Sequence, residues 1–210
     1  MSTQTAHQCL RIGDLAPDFE ARSTNGPIRL ADFRGQWLVL FSHPADFTPV
    51  CTTEFVAMAR AHERFEALGC RLMAVSVDSL YSHFAWLRAI RDRFDVEVRF
   101  PIIEDPTLVI GAAYGMVGAE SSDSSAVRTT FFIDPEGRIR ATTCYPSSVG
   151  RSVDEMVRLV AALQASDAKA VLAPEGWTPG SPLLRLLQPT LDDIYASEDP
   201  IAWFYAEENQ

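Results

Sequence analysis

The sequence predicts an α/β domain followed by an extended C-terminal arm. Short apolar runs alternate with amphipathic segments from about residue 10 to 165, the pattern of strands interleaved with helices. Beyond Ala170 the character changes, because Pro174, Pro179, Pro182, Pro189 and Pro200 interrupt every run. There is no internal repeat and no low-complexity tract. The domain is therefore placed at 9–165 and the arm at 166–210, and 210 residues are enough to bury a sizeable core.

The elements can be read in chain order. Trp37–Ser42 (WLVLFS) is a continuous apolar run of strand length, and Arg71–Val77 (RLMAVSV) is a second. Between them Thr52–Leu68 reads as a helix, with Phe55, Met58, Ala59, His62 and Phe65 near helical spacing and Gly69 as its stop. Leu80–Arg93 is a helix, Phe100–Ile103 a short strand ended by Asp105-Pro106, and Leu108–Tyr114 a helical turn or two. Thr129–Asp134 and Arg138–Tyr145 form strands around Pro135-Glu136-Gly137, a hairpin signal. Ser152 caps a helix reaching about Gln164, with Glu155 placed for a capping box.

A net charge of −10 argues against nucleic acid or anionic membrane as partners, since both need clustered Lys and Arg. No apolar run approaches the ~20 residues a membrane-spanning helix needs. Residues 1–8 lack both a basic start and an apolar stretch, so no secretory signal and a cytoplasmic location are expected. After Arg185 there are no basic residues but six acids, with Trp203, Phe204 and Tyr205 in succession. A solvated acidic tail has no need of three adjacent aromatics, so this stretch is expected to pack on something. The four cysteines (Cys9, Cys51, Cys70, Cys144) and four histidines (His7, His43, His62, His83) show neither a CxxC pair nor metal-ligand spacing. No metal or organic cofactor is expected, and the cysteines should be reduced thiols.

Cys51 is the cysteine with chemistry around it. The segment Ser42–Phe55 joins a buried strand to a helix, on the side of an α/β sheet where sites form. Pro44 and Pro49 stiffen the approach, and Pro49 sits where a helix tolerates a missing N–H. Cys51 then falls in or beside the first turn, where unpaired N–H groups and the positive dipole end favour a thiolate. Thr48 precedes it by three residues and can offer a hydroxyl to the sulfur or to a bound oxygen. Glu54 lies three residues later on the same face, where its charge alone would oppose a thiolate. A compensating cation is required, with Arg128 the first candidate and Arg151 the second. Each residue also has an ordinary reading: an inert buried cysteine, a helix cap, a first-turn acid, solvated surface arginines. Only the combination points to a nucleophile.

That combination resembles the peroxiredoxin motif PxxxTxxC, met by Pro44, Thr48 and Cys51, and FSHPADFTPVCTTEF is similar to the one-cysteine subfamily almost residue for residue. The likeness continues through Ala16–Phe19, Ser76–Asp78, Phe100–Ile103, Tyr114–Met116, Arg128–Asp134, Tyr145-Pro146 and Gly150-Arg151, and reaches the arm. It implies a thioredoxin-like fold, a central mixed sheet flanked by helices, and reduction of hydrogen peroxide and organic hydroperoxides without a cofactor. Cys51 would form a sulfenic acid, Thr48 and Arg128 would hold the two peroxide oxygens, His43 and Pro44 would wall the pocket, and Glu54 and Arg151 would orient Arg128. It also implies a homodimer, or a higher oligomer, in which the arm covers the partner's site. No cysteine occurs after Cys144, so the late resolving cysteine of two-cysteine members is absent and an external thiol, small or thioredoxin-like, must regenerate Cys51. Gln36 stands where some one-cysteine relatives carry a lipase serine, so that activity is not expected.

Two rivals frame this reading. A thiol–disulfide oxidoreductase needs a CxxC pair, which Cys51-Thr52-Thr53-Glu54 lacks. A peroxide sensor or holdase would share the oxidation of Cys51 without turnover.

Overall fold

The computed structural model describes residues 10–117 and 127–208; His7 and Cys9 lie outside the described residues. The chain divides into two compact units, 1–153 and 154–210, whereas the sequence pattern places the boundary at 165/166. The last amphipathic helix goes with the arm because its side chains are hydrogen-bonded to the residues just C-terminal to it. Arg158 Nη1 donates to the Trp177 carbonyl at 3.0 Å, and Ser166 Oγ donates to that of Val171 at 2.6 Å.

The first unit contains β1 (Glu20–Ser23), β2 (Gly26–Arg29), a 3-10 turn (Leu30–Phe33), β3 (Trp37–Ser42), α1 (Pro49–Arg60) and α2 (His62–Ala67). It continues with β4 (Cys70–Ser76), α3 (Leu80–Phe94), β5 (Ile102–Glu104), α4 (Val109–Ala113), β6 (Arg128–Ile133) and β7 (Ile139–Tyr145). The strands form one sheet in the order β2-β1-β5-β4-β3-β6-β7. β5, β4 and β3 run parallel, and the outer neighbours pair antiparallel, so the sheet is mixed, as expected.

Every residue of β3 and β6 is buried, which is why neither alternates apolar with polar positions: β3 is apolar up to Ser42, and β6 follows Arg128 with TTFFI. Leu38 and Leu40 of β3 join Met73, Val75, Phe131, Ile133, Ile110 and Tyr114 in one core cluster. Phe41 meets Phe55 and Phe100, each at 5.8 Å between ring centroids, and Phe55 lies 4.5 Å from Trp86. This second cluster roots α1 and α3 beside the end of β3. Each such side chain contributes about 1.5–3 kcal/mol on burial.

Two elements differ from expectation. The helix expected at 52–68 begins earlier, at Pro49, and a turn at Ala61, where ψ is 2°, separates α1 from α2. The β1–β2 hairpin has no clear sequence signal: EARS and GPIR show little alternation, and Pro27 is tolerated because β2 lies at the sheet edge.

The second unit carries α5 (Val153–Lys169), β8 (Val171–Leu172), β9 (Leu183–Arg185), α6 (Leu191–Ala196) and β10 (Glu207–Glu208). Its strands form a small antiparallel sheet, β10-β9-β8, and Thr190 and Asp193 close a capping box on α6. The arm is thus more structured than its prolines suggest. Trp203, Phe204 and Tyr205 remain exposed in the single chain. Among the described residues no helix is long and apolar enough to cross a membrane.

The β6–β7 turn depends on Gly137, whose φ is +79° and whose N–H donates to the Asp134 carbonyl at 2.8 Å. The Arg34 guanidinium, bonded to the Glu136 carbonyl, occupies the space a Cβ would need. Gly137→Ala should therefore cost about 1–2 kcal/mol and lower the melting temperature; an unchanged melting temperature would contradict this account of the turn.

Candidate active site

The strand-to-helix connection after β3 positions the central residue. Thr48 is the N-cap of α1 in an extended conformation (φ −91°, ψ 147°), and Pro49 opens the helix. Cys51 is the third helical residue and is fully buried. It lies in the turn whose N–H groups have no intrahelical acceptor, the positive end of the helix dipole. Pro44 is buried in the same connection. The Thr48 hydroxyl does not bond the sulfur. It donates to the Ala45 carbonyl at 2.8 Å, so its proton is committed and its oxygen is left as an acceptor.

The expected cations both arrive. Arg128 opens β6 beside β3, and its Nη1 lies 3.3 Å from Cys51 Sγ and 2.8 Å from Glu54 Oε2. Its Nε and Nη2 donate to the Ser147 carbonyl at 3.1 and 2.8 Å. Arg151 grips the same carboxylate from the other side. Its Nε reaches Glu54 Oε1 at 2.9 Å, its Nη2 reaches Oε2 at 2.7 Å, and its backbone N–H donates to Oε1 at 2.7 Å. Arg151 Nη1 also donates to Thr130 Oγ1 at 3.2 Å, and its guanidinium lies 5.0 Å over the Phe41 ring.

Burial alone would raise the Glu54 carboxyl, but hydrogen bonds and charge from Arg151, with Arg128 adding to them, hold it below its ordinary value. Two buried guanidiniums against one carboxylate leave a net positive charge beside the sulfur. An anion at Cys51 or on a bound oxygen would balance it. Glu54 is therefore the counter-ion that makes two buried arginines tolerable, not only a like charge opposing the thiolate.

His43 is also buried, and it brings in two residues that the sequence pattern does not mark. His43 Nε2 bonds Asp46 Oδ1 at 2.9 Å, and His83 Nδ1, from α3, bonds Asp46 Oδ2 at 2.7 Å. Burial would raise Asp46, but the two imidazole bonds outweigh it and hold the carboxyl at about 2. His83 lies on α3, whose docking beside Asp46 no spacing reveals. The three residues present ligand atoms within 4.8 Å of one another, the one such group among the described residues. The imidazole nitrogens facing Asp46 are each already satisfied by it, which favours a hydrogen-bonded triad over a metal set.

The remaining cysteines are placed differently. Cys70 opens β4, and burial pushes its thiol up to about 12, so it is inert. Cys144 on β7 is exposed, and Thr129 Oγ1 donates to its sulfur at 3.6 Å.

Residues 12–142 match the AhpC/TSA family. The chain belongs to that family. It is 44% identical over 200 residues to a peroxiredoxin of Aquifex aeolicus, covering 95% of this chain and 82% of the relative. It is 48% identical over 177 residues to peroxiredoxin 2 of Caldanaerobacter subterraneus, covering 84% and 80%. The yeast mitochondrial 1-Cys peroxiredoxin superposes with a TM-score of 0.86 at 37% identity, covering 96% of this chain and all of that one. Peroxiredoxin 6 of Arenicola marina superposes at 0.80 and 31%, covering 88% and 87%. The fold is thus thioredoxin-like, and the protein is a thiol-dependent peroxidase that reduces peroxides at the expense of thiols.

The lowered Glu54 and Asp46 carboxyls fix a pH dependence. Their folded values lie below the unfolded ones, about 4. Their stabilisation is therefore complete above that value and is lost as pH falls through the folded values, toward about 2 for Asp46. Glu54→Gln should cost about 3–5 kcal/mol at pH 7, because it leaves two guanidiniums without their counter-ion. It should also flatten the loss of stability as pH falls below about 4 in denaturant titrations; an equally steep acid loss in the variant would contradict the assignment.

Proposed function

We propose that Cys51 is the sulfur that attacks the peroxide, with Arg128 and Thr48 aligning the two oxygens. The observation that carries this reading is the Arg128 guanidinium, 3.3 Å from Sγ while anchored on Glu54 and the Ser147 carbonyl. In the proposed step the Cys51 thiolate forms an S–O bond to the terminal oxygen of ROOH. The O–O bond breaks, the sulfur is oxidised, and the departing alkoxide takes a proton to become ROH. Arg128 donates to the oxygens as charge moves from sulfur to the leaving group, the point at which a fixed donor lowers the barrier most. The Thr48 oxygen, unable to donate, accepts from the hydroxyl of the incoming hydroperoxide and sets its direction.

The resulting sulfenic acid is reduced by two equivalents of external thiol, which become a disulfide while water leaves. Cys70 is a poor resolving group because its thiol is pushed up and buried. The yeast mitochondrial relative resolves its thiol through glutathione and thioredoxin systems, and this chain is assigned the same class of reductant. The exposed aromatics Trp203, Phe204 and Tyr205, within an acidic stretch, support a homodimer in which the arm packs on a second copy. Action in the cytoplasm belongs to the same proposal.

Cys51→Ser should abolish peroxide consumption, whereas Cys70→Ser and Cys144→Ser should keep it. Loss of turnover in a folded Cys144→Ser variant would overturn the one-cysteine cycle. A single stoichiometric oxidation of the wild type with every thiol offered would instead favour a sensor. Arg128→Ala should slow sulfenic acid formation by roughly two to three orders of magnitude in stopped-flow single turnovers; a rate within about threefold of wild type would remove Arg128 from its role. Phe204→Asp should weaken self-association in sedimentation velocity, and an unchanged profile would count against the arm as an interface.

A further inference from the structure

His43 has one ring nitrogen to spare. Its Nε2 faces Asp46 Oδ1 at 2.9 Å, while Nδ1 is buried and has no hydrogen-bond partner. Burial, outweighing the bond to Asp46, holds the imidazole below its ordinary value, so the ring is neutral at pH 7. A neutral imidazole facing an ionised carboxylate places its proton on the nitrogen that faces it. Nδ1 is then a bare acceptor in the interior, and a buried acceptor without a donor is costly to keep.

The surroundings place that acceptor beside the reacting sulfur's helix. The His43 ring packs edge-on against Phe55, 4.9 Å away, which lies one helical turn beyond Cys51 on the same face of α1. It also stacks at 5.3 Å on Trp86, whose Nε1 donates to the hydroxyl of Thr52, the neighbour of Cys51, at 3.2 Å. His43 therefore packs against the face of α1 that carries Cys51, with an Nδ1 to which no protein group donates.

The ring is fixed in this state by Asp46, and Asp46 is fixed in turn from elsewhere in the chain. His83 Nδ1 donates to Asp46 Oδ2 at 2.7 Å, and the Asp46 backbone N–H donates to Asp78 Oδ2 at 2.8 Å. Each Asp46 oxygen thus accepts one imidazole N–H, and neither histidine can change its tautomer without breaking a buried bond.

We propose that His83 is a positioning residue of the peroxidase site, clamping Asp46 so that His43 stays protonated on Nε2 and keeps Nδ1 free to accept from an O–H group formed or bound at Cys51. This inference rests on Cys51 as the reacting sulfur. His83 itself touches no reacting atom and acts through Asp46 alone.

The test pairs two variants with one spectroscopic signature. Asparagine carries an amide N–H close to the position of Nδ1, so His83→Asn can still donate to Asp46; His83→Leu fills the space without donating. Sulfenic acid formation with hydrogen peroxide should fall about tenfold or more in His83→Leu and stay within about threefold of wild type in His83→Asn. Imidazole nitrogen NMR of the reduced wild type should show His43 protonated on Nε2 and bare on Nδ1. In His83→Leu that signature should broaden or shift to a mixture of tautomers. A His83→Leu rate equal to wild type overturns the clamp and leaves the peroxidase reading intact, since Cys51→Ser tests that separately. An Asn variant as slow as the Leu variant overturns it as well, because packing rather than donation would then matter. Should His83→Leu fail to fold, the wild-type spectrum still decides: a proton on Nδ1 of His43 refutes the proposal.

Discussion

The Glu54 carboxylate binds the site together by holding two guanidiniums in the interior. Arg151 takes both of its oxygens and adds a backbone N–H, and Arg128 shares one oxygen while its Nη1 also lies 3.3 Å from the cysteine sulfur. Removing Glu54 would leave two buried guanidiniums without a counter-ion, a far larger penalty than an exposed ion pair contributes. The surplus positive charge of this trio faces Cys51. An acid three residues from a nucleophilic cysteine, which alone would discourage an anion there, is therefore what allows the opposing charge to be present at all.

The sheet makes this assembly possible. β3 and β6 are adjacent and antiparallel, so the chain leaving the C-terminal end of β3 toward Cys51 meets the chain entering β6 at Arg128. Arg151 arrives after β7, the partner of β6 on its other side. Glu54, one turn along α1, is aimed at both by a helix that Phe55, Phe41 and Trp86 lock against the sheet. Phe55 and Trp86 also pack on His43, so the packing of this cluster and the geometry of the site are one problem. Preorganisation of this kind lets fixed donors act on moving charge without first having to move themselves.

Much of this is legible in the sequence because the information is local. WLVLFS, the helix-opening proline and the Thr48–Cys51–Glu54 spacing each depend on neighbours a few residues away. Arg128 and Arg151 can be nominated because Glu54 creates an electrostatic need, but their sharing of a single carboxylate is a tertiary fact. Thr48 stands where its spacing puts it, yet its hydroxyl turns to the Ala45 carbonyl, which spacing alone does not reveal. Asp46 and His83 escape the pattern for the same reason: His83 reads as one polar residue on an amphipathic helix until α3 docks. The β1–β2 hairpin and the small sheet of the arm are hidden by short, weakly patterned strands and by prolines that edge positions tolerate.

The central claim is that Glu54 serves the reaction through Arg128 rather than through its own charge. A double-mutant cycle read on the rate of sulfenic acid formation tests this most directly, using Glu54→Gln, Arg128→Met and the combined variant. If the account holds, Glu54→Gln slows the reaction in the wild-type background but changes it little once Arg128 is gone, giving a large coupling between the two positions. Independent, additive losses would contradict it, because the carboxylate would then act on the sulfur by a route that does not pass through the guanidinium.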